Sequence, residues 1–242
     1  MRHTLLCLHG WGGTKESFTE LREALKDADI EILTPDLPGF GEEPEPEKPW
    51  TTDDYAHWVV RWLHHRINES TNKRINVLGH SHGGRIALKI AANRLLPIDH
   101  VYLCAAAGIR HPRHFKRIIG LTIAKTGKFF LTIPGLKHLQ PIGKTLLYTL
   151  VRVHDYEKAS PVMRQTLINV TAEDLRALLP KIDVPTDIFW GEDDRMTPIS
   201  DGILMHKHIK NSAFHRFKNV RHRVHRERAA EIARVIRRTI DN

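Results

Sequence analysis

The chain has 242 residues, an apolar content of 41% and a formal net charge of +9 at pH 7. That length and composition suit one compact α/β domain with room for an insertion, and they argue against two separate domains. No apolar stretch approaches the ~20 residues that a membrane span needs, so the sequence predicts no transmembrane helix.

Cysteine and histidine usage gives no sign of a disulfide, a metal site or a cofactor. Cys7 and Cys104 fall inside predicted buried strands, where a thiol packs as a small hydrophobic group. The 17 histidines are scattered, without an H-E-x-x-H pattern or a Cys/His quartet of ligand spacing. A strand-like run begins within three residues of Met1 and leaves no room for a signal peptide, which predicts a cytoplasmic location.

Six short apolar or β-branched runs alternate with helix-period segments along the chain. Such alternation predicts βαβ units, and hence a mainly six-stranded parallel sheet with helices on both faces. The strands are expected at 4–8, 30–34, 74–78, 100–105, 186–190 and 213–217. The helices are expected near 15–28, 53–68, 82–95, 199–210 and 227–240, with candidate starting points at Thr14, Thr52 and Ser81.

Glycine-rich loops follow the first two predicted strands. The first loop reads His9-Gly10-Trp11-Gly12-Gly13, and the second reads Asp36-Leu37-Pro38-Gly39-Phe40-Gly41. Neither G-x-G-x-x-G nor a Walker lysine is present, which disfavours a phosphate-binding loop.

The third predicted strand runs through Gly79-His80-Ser81-His82-Gly83 directly into a helix-period pattern. A G-x-S-x-G sequence between a strand and a helix is the signature of a nucleophile elbow. The serine at the apex has strained backbone, so the residues two positions away on either side must lack bulk. Ser81 is therefore predicted to be a nucleophile. His80 and His82 either pack against the elbow or supply a second proton shuttle.

A serine hydroxyl is a weak nucleophile until a base takes its proton, and the base needs an acid partner. The elbow fold presents these groups in the order serine, acid, histidine. After Ser81, an acidic segment at 192–194 follows a predicted strand, so its carboxylates are expected at the same sheet edge as the serine. His222 follows the next predicted strand.

With these motifs the chain resembles the α/β-hydrolase superfamily, specifically the cap-bearing serine hydrolases. That group includes esterases, carbon–carbon bond hydrolases and the biotin-pathway methyl esterase. The resemblance covers residues 1–108 and 182–242, which are expected to form the α/β-hydrolase core.

The resemblance also implies roles for single residues. The family acid lies three residues after a strand-ending glycine and four before a proline, which selects Asp194 over Asp193. The family histidine stands five residues before a glutamate, which selects His222 over His225. The backbone N–H groups of Trp11 and His82 are implied to form the oxyanion hole.

About eighty residues separate the fourth and fifth predicted strands, far more than a usual crossover needs. Residues 109–181 are accordingly expected to form a helical cap. Within it, residues 110–158 hold ten lysines or arginines, two acidic residues and many apolar ones. Either the apolar side roofs the pocket while the cations face water, or the cap meets anionic lipid or accepts acidic substrates.

The leading functional hypothesis is a carboxylesterase that acts on a small-molecule acyl ester through an acyl-enzyme on Ser81. A carbon–carbon hydrolase of ring-cleavage products uses the same residue types and stays an alternative. So does a ligand-binding receptor that retains a slow triad. Specific nucleic-acid binding is disfavoured because no RNP, KH, helix-turn-helix or finger signature accompanies the positive charge.

Overall fold

A computed structural model describes residues 3–67, 74–111 and 159–240 of the chain. The chain divides into two compact units, one formed by Met1–Arg110 with Gln165–Asn242 and the other by His111–Arg164. Most of the second unit, and with it most of the predicted cap at 109–181, lies outside the described residues, so the helical cap stays a prediction.

A parallel sheet of six strands forms the centre of the first unit, as the sequence predicts. Its order is β2-β1-β3-β4-β5-β6, and each neighbouring pair is parallel. The strands are β1 His3–Leu8, β2 Ile30–Leu33, β3 Arg74–His80, β4 Ile98–Cys104, β5 Thr186–Gly191 and β6 Ser212–Phe217. All six lie within a few residues of their predicted positions, and β3 continues two residues further, up to the elbow serine.

Burial explains why the strand runs were readable in the sequence. Leu5, Leu6, Cys7 and Leu8 of β1 are fully buried, as are the residues that end β4. Strands inside a parallel sheet are covered on both faces and therefore read as continuous apolar runs. The edge strand β6 instead mixes exposed and half-buried positions.

Helices cover both faces of this sheet. Helices α2 and α3 pack together, and α1 packs with the C-terminal helix α7. The helices are α1 Thr19–Ala24, α2 Thr52–His64, α3 His82–Ala92, α4 Pro161–Ala172, α5 Ile199–His208, α6 Val224–Glu227 and α7 Ala229–Ile240. Short 3₁₀ helices occupy Lys15–Phe18 and Arg176–Lys181.

The clearest differences from the sequence prediction concern three of the predicted helices. Thr14 caps a 3₁₀ turn rather than an α-helix, and α1 ends at Ala24, earlier than predicted. Thr51, not Thr52, caps α2. The Thr51 side chain accepts from the Asp54 N–H, and the Asp54 carboxylate accepts from the Thr51 N–H. The predicted helix at 227–240 is interrupted at Arg228, whose φ of −126° and ψ of 32° are not helical.

Asp187 on β5 lies between two histidines on the neighbouring strands. Its Oδ2 accepts from Nε2 of His100 at 2.8 Å and its Oδ1 accepts from Nε2 of His215 at 2.5 Å. The Asp187 side chain is only 10% exposed. Burial alone raises the pKa of Asp187, but the hydrogen bonds from His100 and His215 outweigh it and lower the pKa to about 2. The carboxylate therefore stabilises the sheet as an anion.

Replacing Asp187 by Asn is expected to lower the free energy of unfolding by about 2 kcal/mol near pH 6. Because folding lowers the pKa of Asp187, its stabilisation is fully present above pH 4 and is lost as the pH falls through about 2. Urea unfolding at pH 6 and at pH 2.5 measures this difference, which should shrink at the lower pH. Asp183→Asn, in an exposed pair with Arg94, is the control and should change stability by under about 0.5 kcal/mol. An equal loss for Asp187→Asn at both pH values would contradict the assignment.

Candidate active site

Ser81 lies in the tight turn between the end of β3 and the start of α3. Its backbone has φ 52° and ψ −111°, a conformation that residues other than glycine rarely adopt. The turn is fixed by main-chain hydrogen bonds: the Ser81 N–H donates to the Cys104 carbonyl at 3.1 Å, and the Ser81 carbonyl accepts from the Ala107 N–H at 2.9 Å. The end of β4 thus holds the strained serine in place.

Gly79 and Gly83 leave room for this turn. A Cβ added at Gly79 would lie 2.5 Å from the Gly83 carbonyl oxygen, and one added at Gly83 would overlap the Leu8 carbonyl at the end of β1. The two glycines therefore let the first turn of α3 approach both β3 and β1, which is the steric reason that the sequence motif implies.

The loop after β1 lies beside the serine. A Cβ added at Gly10 would lie 3.2 Å from Ser81 Cβ. Among the described residues, none accepts a hydrogen bond from the Trp11 N–H. His82 is the first residue of α3, where N–H groups have no partner within the helix. The rings of Trp11 and His82 meet edge to face at 5.4 Å.

His9 connects this loop to the loop after β2. Its Nδ1–H donates to the Gly10 carbonyl at 2.8 Å, and its Nε2 accepts from the Leu37 N–H at 2.9 Å. One nitrogen donates and the other accepts, so the ring is neutral. Burial is the main reason that the pKa of His9 is lowered. In the loop after β2, the buried Asp36 carboxylate accepts from the N–H groups of Lys15 and Glu42.

Asp194 follows β5, and its side chain is fully buried. Its Oδ2 accepts from Nδ1–H of His222 at 2.8 Å and from the Thr197 hydroxyl at 2.8 Å. Its Oδ1 accepts from the N–H groups of Met196 at 2.8 Å and Thr197 at 3.1 Å. Burial alone raises the pKa of Asp194, but the bond and charge of His222, with the bonds from the Met196 N–H and the Thr197 hydroxyl, lower it overall. This carboxylate is suited to remain an anion and to fix the His222 tautomer.

The segment that carries His222 packs against the end of β5. The N–H groups of Glu192 and Asp193 donate to the carbonyls of Phe217 and Val220 at 2.9 and 3.0 Å. A Cβ at Gly191 would overlap the Val220 carbonyl, so glycine is required where the two chains cross.

Asp193 and His225, which the family pattern rejects as the acid and the histidine, take no part in the bond between Asp194 and His222. Asp193 is exposed. His225 is buried, and its ring stacks on His80 at 3.8 Å.

Ser81 and the Asp194–His222 pair approach the same edge of the sheet. The link between them is His80, whose Nε2–H donates to the carbonyl of His222 at 3.0 Å. Within the described residues, the Ser81 hydroxyl makes no hydrogen bond to the His222 ring. Such bonds are often long in a free enzyme and tighten when substrate binds.

Two contributors to this site were not assigned from the sequence. Thr197 lies in the segment that was singled out for its acids, but its hydroxyl contact with Asp194 was not foreseen. The sequence signals only the neighbouring bond, because an aspartate side chain commonly accepts from the backbone N–H two residues later, here that of Met196. The bond from His80 to His222 joins residues 142 positions apart and left no signal in the sequence.

Within residues 3–67, 74–111 and 159–240, no three His, Cys, Asp or Glu side chains are grouped to hold a metal ion.

A serine in a strained strand-to-helix turn, at the carboxyl edge of a parallel sheet, defines the class of α/β-fold hydrolases. Residues 5–235 match the model of the alpha/beta hydrolase family. The chain belongs to the alpha/beta hydrolase family. That membership, together with the names of its relatives, supports hydrolase activity.

Three curated relatives are similar over most of the chain. The uncharacterized hydrolase YugF of Bacillus subtilis is 26% identical over 94% of this chain and 86% of its own length. A pimeloyl-[acyl-carrier protein] methyl ester esterase of Neisseria meningitidis is 28% identical over 85% of this chain and 80% of its own length. Lipase 1 of Psychrobacter immobilis is 24% identical over 79% of this chain, which spans 62% of that lipase.

A solved structure agrees in fold. The crystal structure of a hydrolase from Pseudomonas aeruginosa PA01 superimposes with a TM-score of 0.73 at 20% identity, covering 100% of this chain and 91% of the other.

Replacing Thr197 by Val is expected to lower the free energy of unfolding by about 1–2 kcal/mol at pH 7, because Asp194 then loses a buried hydroxyl donor. Thr197→Ser keeps the hydroxyl and is the matched control. Since folding lowers the pKa of Asp194, its stabilisation is present above pH 4 and is lost at lower pH, so the deficit should shrink near pH 3. Urea unfolding of both variants at pH 7 and pH 3 measures it; equal stability of the Val and Ser variants at pH 7 would refute the role of the hydroxyl.

Proposed function

We propose that the protein is a serine hydrolase of carboxylic esters, with Ser81, Asp194 and His222 as its catalytic triad. The observation that carries the proposal is the 2.8 Å bond between Asp194 Oδ2 and His222 Nδ1, beside a serine with φ 52°. A buried carboxylate that holds one imidazole nitrogen leaves the other nitrogen free to act as a base.

In the proposed reaction, His222 Nε2 removes the proton of the Ser81 hydroxyl as the oxygen attacks the ester carbonyl carbon. The tetrahedral intermediate collapses when His222 returns this proton to the leaving alcohol, and an acyl-enzyme on Ser81 remains. Water attacks this acyl-enzyme and gives a proton to His222, which passes it back to Ser81 as the acid product leaves. Asp194 stays ionised throughout and stabilises the imidazolium.

The N–H groups of Trp11 and His82 are the proposed oxyanion hole. Two fixed donors of this kind contribute roughly 3 kcal/mol each, because they need not reorient as charge develops on the oxygen. The His82 side chain is not an ionic participant: chiefly by burial, its pKa is lowered to about 3, so the ring is neutral near pH 7. It packs against Trp11 and Tyr55.

The names of two relatives support esters as the substrate class, since both a lipase and a methyl ester esterase are similar to this chain. Carbon–carbon cleavage uses the same three residue types, so a substrate panel must separate the two chemistries. In the described part of the chain no helix is long and apolar enough to cross a bilayer. A cytoplasmic location and the helical cap at 109–181 are parts of this proposal.

Replacing Ser81 by Ala is expected to reduce the turnover of p-nitrophenyl acyl esters at least about 10³-fold, because the acyl-enzyme cannot form. A fluorophosphonate probe should label the wild-type protein at Ser81 and should not label the variant. The control is Ser200→Ala, which removes an exposed serine at the start of α5. Undiminished turnover by a folded Ser81→Ala protein would remove Ser81 from the mechanism. Turnover of a diketone ring-cleavage product in place of every ester would favour the carbon–carbon hydrolase.

The proposal includes contact with an anionic membrane surface, because the segment 110–158 is rich in lysine and arginine. Co-sedimentation with vesicles containing anionic lipid should exceed that with neutral vesicles at low salt, and the excess should disappear at about 0.5 M salt because the contact is electrostatic. Equal sedimentation with both vesicle types would contradict this part of the proposal.

A further inference from the structure

We infer that His80 is a positioning residue, which holds the backbone of the base His222 in register with the nucleophile Ser81. The inference rests on the proposed function and deepens it, because it names what aligns two catalytic groups that come from distant parts of the chain.

The contact that carries the inference is a hydrogen bond between side chain and backbone. His80 is the last residue of β3 and directly precedes Ser81, so its Cα is fixed by the sheet and by the strained turn. Its Nε2–H donates to the carbonyl oxygen of His222 at 3.0 Å. One side chain thus connects the nucleophile's peptide to the peptide of the base.

Ring packing limits the orientations that His80 can adopt. Its ring lies 3.8 Å from the ring of His225 and 4.9 Å from the ring of His222. His225 is itself buried on α6, where it also packs against Phe18 at 5.5 Å. His80 is 7% exposed, so it has little space for another rotamer.

The loop that holds Trp11 also lies close to the His80 ring, at Gly10. A Cβ added at Gly10 would lie 2.9 Å from His80 Nδ1. His80 is therefore in contact with the segments that bear the proposed nucleophile, base and oxyanion donor.

The sequence left open whether a histidine beside the serine packs or shuttles protons, and the contacts of His80 favour packing. Its Nε2 already carries the proton that it donates to the His222 carbonyl, so that nitrogen has no lone pair available to a substrate. Burial is the largest cause of a pKa well below the ordinary value for His80, followed by the neighbouring His225 and His222. A neutral, fixed donor orients its acceptor and does not exchange protons with the substrate.

The test compares His80→Phe with His80→Gln in the full-length protein. Phe keeps a ring against His225 but lacks the N–H donor, whereas Gln supplies an amide N–H and lacks the ring. We expect His80→Phe to lower kcat for a p-nitrophenyl ester about 10- to 100-fold with KM changed less than twofold, because a small misplacement of a catalytic group costs that much. The rate of Ser81 labelling by a fluorophosphonate should fall by the same factor. His80→Gln should recover at least a third of the wild-type kcat.

His100→Phe is the control for a general loss of stability, since it removes a partly buried histidine on β4 that contacts Asp187 and not the proposed active site. Its kcat should stay within twofold of wild type. A folded His80→Phe protein with wild-type kcat would overturn the inference, as would a kcat loss in His80→Gln as large as in His80→Phe. If the Phe variant does not fold, the Gln variant decides alone, and a kcat below a third of the wild-type value would overturn the inference. Failure of the proposed function itself is distinguishable, because Ser81→Ala would then remain active.

Discussion

The left-handed backbone at Ser81 is the constraint on which the rest of the site depends. A residue with a Cβ adopts this conformation only when its surroundings leave no alternative. Here the surroundings are the carbonyl of Cys104, the N–H of Ala107 and the close approach of α3 to β1. The sheet had to bring β1, β3 and β4 side by side for all three contacts to exist, so the strand order and the strained conformation of Ser81 depend on each other.

The burial of Asp194 determines how the part of the site around Asp194 and His222 is built. A buried carboxylate is costly unless donors replace the water that it loses, and Asp194 receives four donors. Three of them come from residues 196 and 197, within the same turn, and only the fourth comes from His222. Most of the hydrogen bonds to Asp194 are therefore local, which makes His222 the member of the proposed triad whose position needs outside support. The contacts of His80 supply a physical means for that support.

The sequence predicted what is encoded locally and missed what depends on long-range contacts. The strands could be located because continuous apolar runs such as Leu5–Leu8 are needed in a strand buried on both faces. The elbow could be located because two glycines and a serine within five residues have one steric explanation. The link from His80 to His222 and the Asp187 network could not, because each joins residues that are far apart in the chain. The break at Arg228 was also missed, since the helical pattern on both sides of it continues.

The Asp187 cluster repeats the Asp–His pairing of the proposed active site, without a serine beside it that is proposed as a nucleophile. The distance from His100 Nε2 to Asp187 Oδ2, 2.8 Å, equals the distance from His222 Nδ1 to Asp194 Oδ2. The His215 side chain in this cluster is 32% exposed, whereas that of His222 is 12% exposed. Carbethoxylation with diethyl pyrocarbonate would therefore reach His215 more readily than His222. For this protein, inactivation by a histidine-directed reagent must be read together with a peptide map of the modified rings.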